Sequence, residues 1–188
     1  MNRLLLTLLA AAAASSVSAA AVRNVFRIDL QGDKGLGMVY KNGSEGTTGS
    51  QAGWLKEKKD TRLIVTGPIS QEWKEFSFTF VPKADGKVSI NLMSDNPKFQ
   101  VSYDNIRVTG ATIANGDFET AAKQADRPDR WWPMGKPGFA KEAQGGSGKN
   151  FVTCAHNDRW LQTFSCKAGE AVTVTFLARQ AAVPKEAK

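Results

Sequence analysis

Five tryptophans, at positions 54, 73, 131, 132 and 160, are the residues through which this 188-residue chain could best do chemistry. That chemistry is contact rather than bond-making. A flat apolar ring stacks on the C–H face of a pyranose, while Asn, Gln, Asp, Arg and Lys side chains address its hydroxyls. Trp54, Trp132 and Trp160 are the candidates for such a platform, with Tyr40 and Arg159 to line the same region. Ordinary packing or loop anchoring is the alternative for each. Trp73 opens an alternating phenylalanine segment and is expected in the core. Covalent chemistry has less to work with. His156 is the single histidine, and it sits in an apparent hairpin turn, His156-Asn157-Asp158-Arg159. The acidic residues that could pair for glycoside hydrolysis fall mostly in turns or on polar strand faces, and the chain is short for a glycosidase. We therefore expect no enzyme. A tetrahedral metal site is not expected, since there is one histidine and no cysteine beyond the two to complete the set.

The elements that must position these residues are strands. Phe26, Ile28 and Leu30 alternate with polar neighbours, as do Phe76, Phe78 and Phe80, then Val88, Ile90 and Leu92, then Val172, Val174 and Phe176. Period two with β-branched and aromatic content predicts half-buried strands. Turn residues separate them, as in Ala84-Asp85-Gly86, Ser94-Asp95-Asn96-Pro97 and Lys167-Ala168-Gly169. No segment past the first twenty residues has a helical period. The fold class is all-β, a jelly-roll sandwich of two antiparallel sheets. Two long loops, Lys41 to Lys59 and Thr120 to Gly148, carry Trp54 and the Trp131-Trp132 pair. Loops of that length are commonly functional or mobile.

Residues 1–20 read as a signal peptide: a basic Met1-Asn2-Arg3, an apolar run from Leu4 to Ala14, then small residues at Ser15–Ala21. The apolar run is too short to span a bilayer. Secretion, periplasmic or extracellular, is the expectation. About 168 residues remain, enough for one sandwich and too few for two. The net charge of +7 is spread along the chain with acidic residues between the lysines. No basic helix accompanies it, which argues against nucleic acid and leaves solubility or weak attraction to acidic polymers. Cys154 and Cys166 fit an oxidising compartment, and both a disulfide and two buried thiols remain open.

Two motifs in mid-chain carry a resemblance. Tyr103-Asp104-Asn105-Ile106-Arg107-Val108 reads as a closing strand and Asn115-Gly116-Asp117-Phe118-Glu119 as an opening one. With Trp73-Lys74-Glu75-Phe76-Ser77-Phe78-Thr79-Phe80, Leu161-Gln162, Ala168-Gly169 and Val172–Arg179, they form an ordered set. The set resembles carbohydrate-binding modules of the family 4/9/22 type, with a galactose-binding-like jelly roll. The halves stand in reversed order, residues 22–110 matching the second half and 111–180 the first, with 181–188 as a tail. One circularly permuted sandwich is expected, a monomer, with two incomplete modules in a domain-swapped dimer as the rival.

The resemblance implies a non-catalytic protein that binds a polysaccharide or glycan. The alternative is a structural or adhesive β-sandwich without a sugar site. It further implies that one of Trp131 and Trp132 packs under the sheet, leaving the other exposed. A structural Ca²⁺ is also implied where opening and closing motifs meet, with Asp104 and Glu119 as side-chain ligands and Asp117 behind them.

Overall fold

Period-two alternation becomes strand at every segment where the sequence carries it. The computed structural model describes residues 25–33, 38–41, 55–59, 61–123, 126–141 and 145–181, with backbone alone for 38–41 and 55–59. The expected leader, the tail beyond 181, Trp54 and the Tyr40 side chain lie outside the described residues. In chain order the strands are β1 (Val25–Gly32), β2 (Met38–Lys41), β3 (Leu55–Lys59), β4 (Arg62–Pro68), β5 (Lys74–Pro82) and β6 (Gly86–Ser94). They continue as β7 (Val101–Thr109), β8 (Trp132–Met134), β9 (Gly138–Ala140), β10 (Phe151–Cys154), β11 (Arg159–Cys166) and β12 (Val172–Gln180). No helix occurs among the described residues, so none is long and apolar enough to cross a membrane.

Two antiparallel sheets pack face to face. The first runs β3-β4-β1-β6-β11-β8 and the second β2-β5-β12-β7-β10-β9. Strands from before and after residue 110 share both sheets. β11 pairs with β6, and β12 is inserted between β5 and β7. Residues of Phe26–Leu30, Phe76–Phe80 and Val172–Ala178 consequently belong to one core. Phe26 from the first sheet meets Phe76 and Phe176 of the second at centroid separations of 4.8 and 5.1 Å. Burying each such ring contributes about 2–3 kcal/mol. Tyr103, buried on β7, spans the gap between sheets: its hydroxyl lies 3.0 Å from the Arg27 carbonyl and accepts from the Arg27 amide. Burial holds its pKa well above the usual tyrosine range.

Three expectations are corrected. Asn115–Glu119 is a turn, not a strand: Asn115 and Phe118 adopt φ of 49° and 59°, and the Phe118 amide donates back to the Asn115 carbonyl. The motif still lies beside the closing strand, because the Ile106 amide donates to the Gly116 carbonyl at 2.7 Å. A Cβ at Gly116 would stand 1.9 Å from the Ile106 carbonyl oxygen, so only glycine allows this approach. Second, β10 and β11 are no hairpin; they lie in different sheets, and the chain crosses between sheets at Ala155–Asp158. Their cysteines are free and buried, with burial pushing both thiols up, Cys166 to about 11. Third, the long loops contain short edge strands, β3 in one and β8 and β9 in the other.

Candidate functional site

Adjacent tryptophans in a loop can face only different ways, and here they split. Trp131 is fully buried against Phe118 (5.1 Å), its indole N–H donating to the Asn115 carbonyl at 2.9 Å. Trp132 begins edge strand β8 and is 58% exposed. The Arg127 guanidinium lies 4.3 Å over its ring. That cation–π contact orients the indole at a cost in charge burial that an exposed site keeps small. Arg127 is held in turn by donating to the Trp131 carbonyl at 2.9 Å.

Register fixes what Trp132 stands beside. It pairs with Leu161 on β11, and Met134 pairs with Arg159. Leu161 and Thr163 alternate with the buried Trp160, Gln162 and Phe164, so they belong to the outer face of the first sheet. Along that face Leu161 opposes Asn91, and Asn91 opposes Asp29. Asp29 is fully buried there, bridged to Arg27 and Arg62, and Asn91 donates its amide to the Asp29 carbonyl at 3.1 Å. Arg159 places Nη2 3.4 Å from the Met134 sulfur, and its Nε is buried with no hydrogen-bond partner. It has no carboxylate partner among the described residues.

Below the short β8 the edge of β11 opens into a pocket of about 480 Å³. Thr112, Ala114, Arg130, Trp132, Gln162 and Thr163 line it. Gln162 shapes this wall: its side-chain amide accepts from the Ala114 N–H at 2.7 Å and donates to the Ala114 carbonyl at 2.9 Å. The linker 109–114 is thereby tied to the sheet edge.

The expected platform is thus partly assembled. Trp132 and Arg159 come together on one face. Trp160 does not join them: it is 2% exposed, and its indole N–H donates inward to the Gly138 carbonyl at 2.9 Å. Alternation along β11 sends Trp160 into the core because Arg159 and Leu161 face out. Tyr40 is on β2, at the edge of the other sheet. Trp73 packs outside the core, partly buried, with the Arg179 guanidinium 4.6 Å over its ring and Phe151 at 5.6 Å. Gln162, Arg127 and Arg130 were not singled out in the sequence. Only the Leu161-Gln162 motif pointed at any of them.

A second cluster forms where opening and closing motifs meet. Asp104 is fully buried on β7. Its Oδ1 accepts from the Asn105 amide (2.6 Å) and its Oδ2 from the Ser147 amide (2.7 Å). Glu119 Oε1 accepts from the amides of Lys149 (2.8 Å) and Asn150 (2.9 Å). Two carboxylates therefore hold the Gly145–Asn150 loop. Burial pushes the Asp104 carboxyl up to about 6; the amide donors of Ser147, Asn105 and Gly146 oppose this, and the Glu119 charge adds to it. Neither carboxylate has a lysine or arginine partner among the described residues.

An oxygen-seeking cation fits this chemistry. A Cβ placed on Gly145 would lie 2.7 Å from Asp104 Oδ2, 3.2 Å from the Asn150 carbonyl oxygen and 3.4 Å from that of Gly148. Oxygens converging beside a buried, unpaired carboxylate are the surroundings Ca²⁺ prefers. Asp117 is exposed and accepts from the Glu119 amide at 3.4 Å. No group of three or more His, Cys, Asp or Glu side chains converges among the described residues, so carbonyls would have to complete any such set.

Comparison of the chain with protein-family models, with curated proteins and with solved structures finds no match. The motifs and the geometry carry the reading alone.

Proposed function

We propose that this chain is a secreted, non-catalytic carbohydrate-binding module that holds a polysaccharide or glycan along β8 and the adjoining edge of β11. The observation that carries this is the exposed Trp132 ring, held by Arg127 beside a pocket of mixed polar and apolar lining. A pyranose stacked on that ring would have the Gln162 amide wall, the Thr112 and Thr163 hydroxyls and the Arg130 guanidinium of the pocket within its surroundings, with Arg127 against the ring. The likeness to the family 4/9/22 modules, with halves permuted, agrees with β12 lying between β5 and β7.

In this reading Asp104 and Glu119, with the carbonyls of Gly148 and Asn150, would hold a structural Ca²⁺. The ion would neutralise the carboxylate pair and stiffen the Gly145–Asn150 loop. The same two carboxylates are not read as a hydrolytic pair, since both engage the amides of that loop. The test is a glycan array on the chain from residue 22, with and without chelator, for the parent and Trp132→Ala. Binding that disappears in Trp132→Ala is expected; no binding to plant, algal or bacterial glycans would sink the reading.

A structural or adhesive role without a sugar site has its own support. Trp131 and Trp160 are spent in the core and Trp73 packs against Arg179 and Gly146, leaving Trp132 as the exposed tryptophan among the described residues.

A further inference from the structure

We propose that the ligand of the Trp132 face is an anionic polysaccharide, one that carries carboxylate or sulfate groups along its length. This rests on the sugar-binding reading and narrows it to a substrate class. Three guanidiniums surround the exposed indole: Arg127 over the ring, Arg130 in the pocket wall, and Arg159 one row along the outer face. Successive outward positions on a strand are about 6.8 Å apart, a spacing comparable to one sugar unit. A chain stacked on Trp132 would therefore bring substituents of its neighbouring residues toward Arg159 on one side and Arg130 on the other.

Two of these guanidiniums, Arg159 and Arg130, are little neutralised within the protein. Arg159 has no carboxylate partner among the described residues, and its Nε is buried without a hydrogen bond. Arg130 is 74% exposed and, among the described residues, bridges only its chain neighbour Asp129, at 3.6 Å. Among the described residues no carboxylate lines the pocket. Asp29, on the same face, is fully buried and neutralised by Arg27 and Arg62. Guanidinium is the group best matched to carboxylate and sulfate, because its fork donates two parallel hydrogen bonds. The net charge of +7 adds long-range attraction for a polyanion.

Isothermal titration of the full chain against a matched panel tests the inference: oligogalacturonate, its fully methyl-esterified form, oligomannuronate, and a sulfated galactan oligomer. At least one acidic probe should bind, and esterification should weaken oligogalacturonate about tenfold or more if carboxylate is the group read. Preference for the sulfated galactan would assign the anion as sulfate. Arg159→Gln should lose about tenfold toward the preferred anionic probe, with only partial recovery in Arg159→Lys. Arg130→Gln, at an exposed side chain, gives a second variant whose folding is not in question. Affinity should fall steeply as NaCl rises from about 0.05 to 0.5 M, where the Debye length shrinks severalfold. Equal affinity for acid and ester, indifference to salt, or unchanged binding in both arginine variants would overturn the inference. Binding of neutral glycans alone would overturn it while leaving the sugar-binding reading intact. Silence across neutral and acidic glycans would overturn both.

Discussion

Two adjacent residues of one type can have opposite tasks, and Trp131-Trp132 is such a pair. Trp131 fills the space under Phe118 and uses its N–H on Asn115, whereas Trp132 offers its face to solvent. Trp131→Ala should cost about 3–5 kcal/mol by cavity formation, read from chemical denaturation. Trp132→Ala should cost under about 1 kcal/mol, the scale of an exposed cation–π contact, while binding is lost. Sequence could not choose between them, because neighbours in a loop share every local signal. The glycine in Asn115-Gly116 was legible as a motif but not as a turn; apolar Phe118 beside it imitated strand alternation. Gly116→Ala should drop the melting temperature by about 5 °C or more, as expected for a loss of about 2 kcal/mol in a chain of this size, since its Cβ would overlap the Ile106 carbonyl.

At the scale of elements, the Gly145–Asn150 loop depends on the state of two carboxylates. The Asp104 carboxyl, normally near 3.8, is pushed up to about 6 in the fold. A raised carboxyl pKa means the folded state binds the extra proton, so its contribution favours folding below about pH 4. That contribution is lost as pH rises through 6. In chelator, stability attributable to Asp104 should therefore decline between pH 4 and 6, and Asp104→Asn should lack the decline. Added Ca²⁺ should raise the parent melting temperature at pH 7 and leave Asp104→Asn unmoved; a parent curve identical with and without Ca²⁺ would remove the ion from the account. The central strands were readable because Phe76, Phe78 and Phe80 alternate over a long enough run. The edge strands were not. β8 has three residues, one of them Pro133, and β9 also has three, so neither offers a period to detect. The Gln162 clamp on Ala114 is a tertiary contact between residues 48 positions apart, which no local pattern announces.

For the whole molecule, the decisive observation is that one core takes strands from both sides of residue 110. The two described ends also reach the same segment: Val25 pairs with Pro68, and the Gln180 amide donates to the Ser70 carbonyl at 2.7 Å. A chain rejoined between 181 and 25 and reopened within Thr112–Ala114 should therefore fold. Its circular dichroism should match the parent, and its melting temperature should fall by only a few degrees, the loss expected for untying one linker. Residues 22–110 and 111–188 expressed apart should each lack cooperative unfolding, since either alone leaves edges and apolar faces unpaired. Cooperative melting of either piece would contradict the single core.

The place of β12 also bears on how the protein is born. Of the described strands the last in chain order, β12, is a central one, flanked on both sides by strands made earlier. Until it arrives, β5 and β7 have no common neighbour and the second sheet cannot close. The nascent chain must then wait, with its second sheet open, until β12 has been made, and its long-range pairings arrive late and slowly. Stop codons that remove β12 should yield insoluble protein rather than a smaller domain.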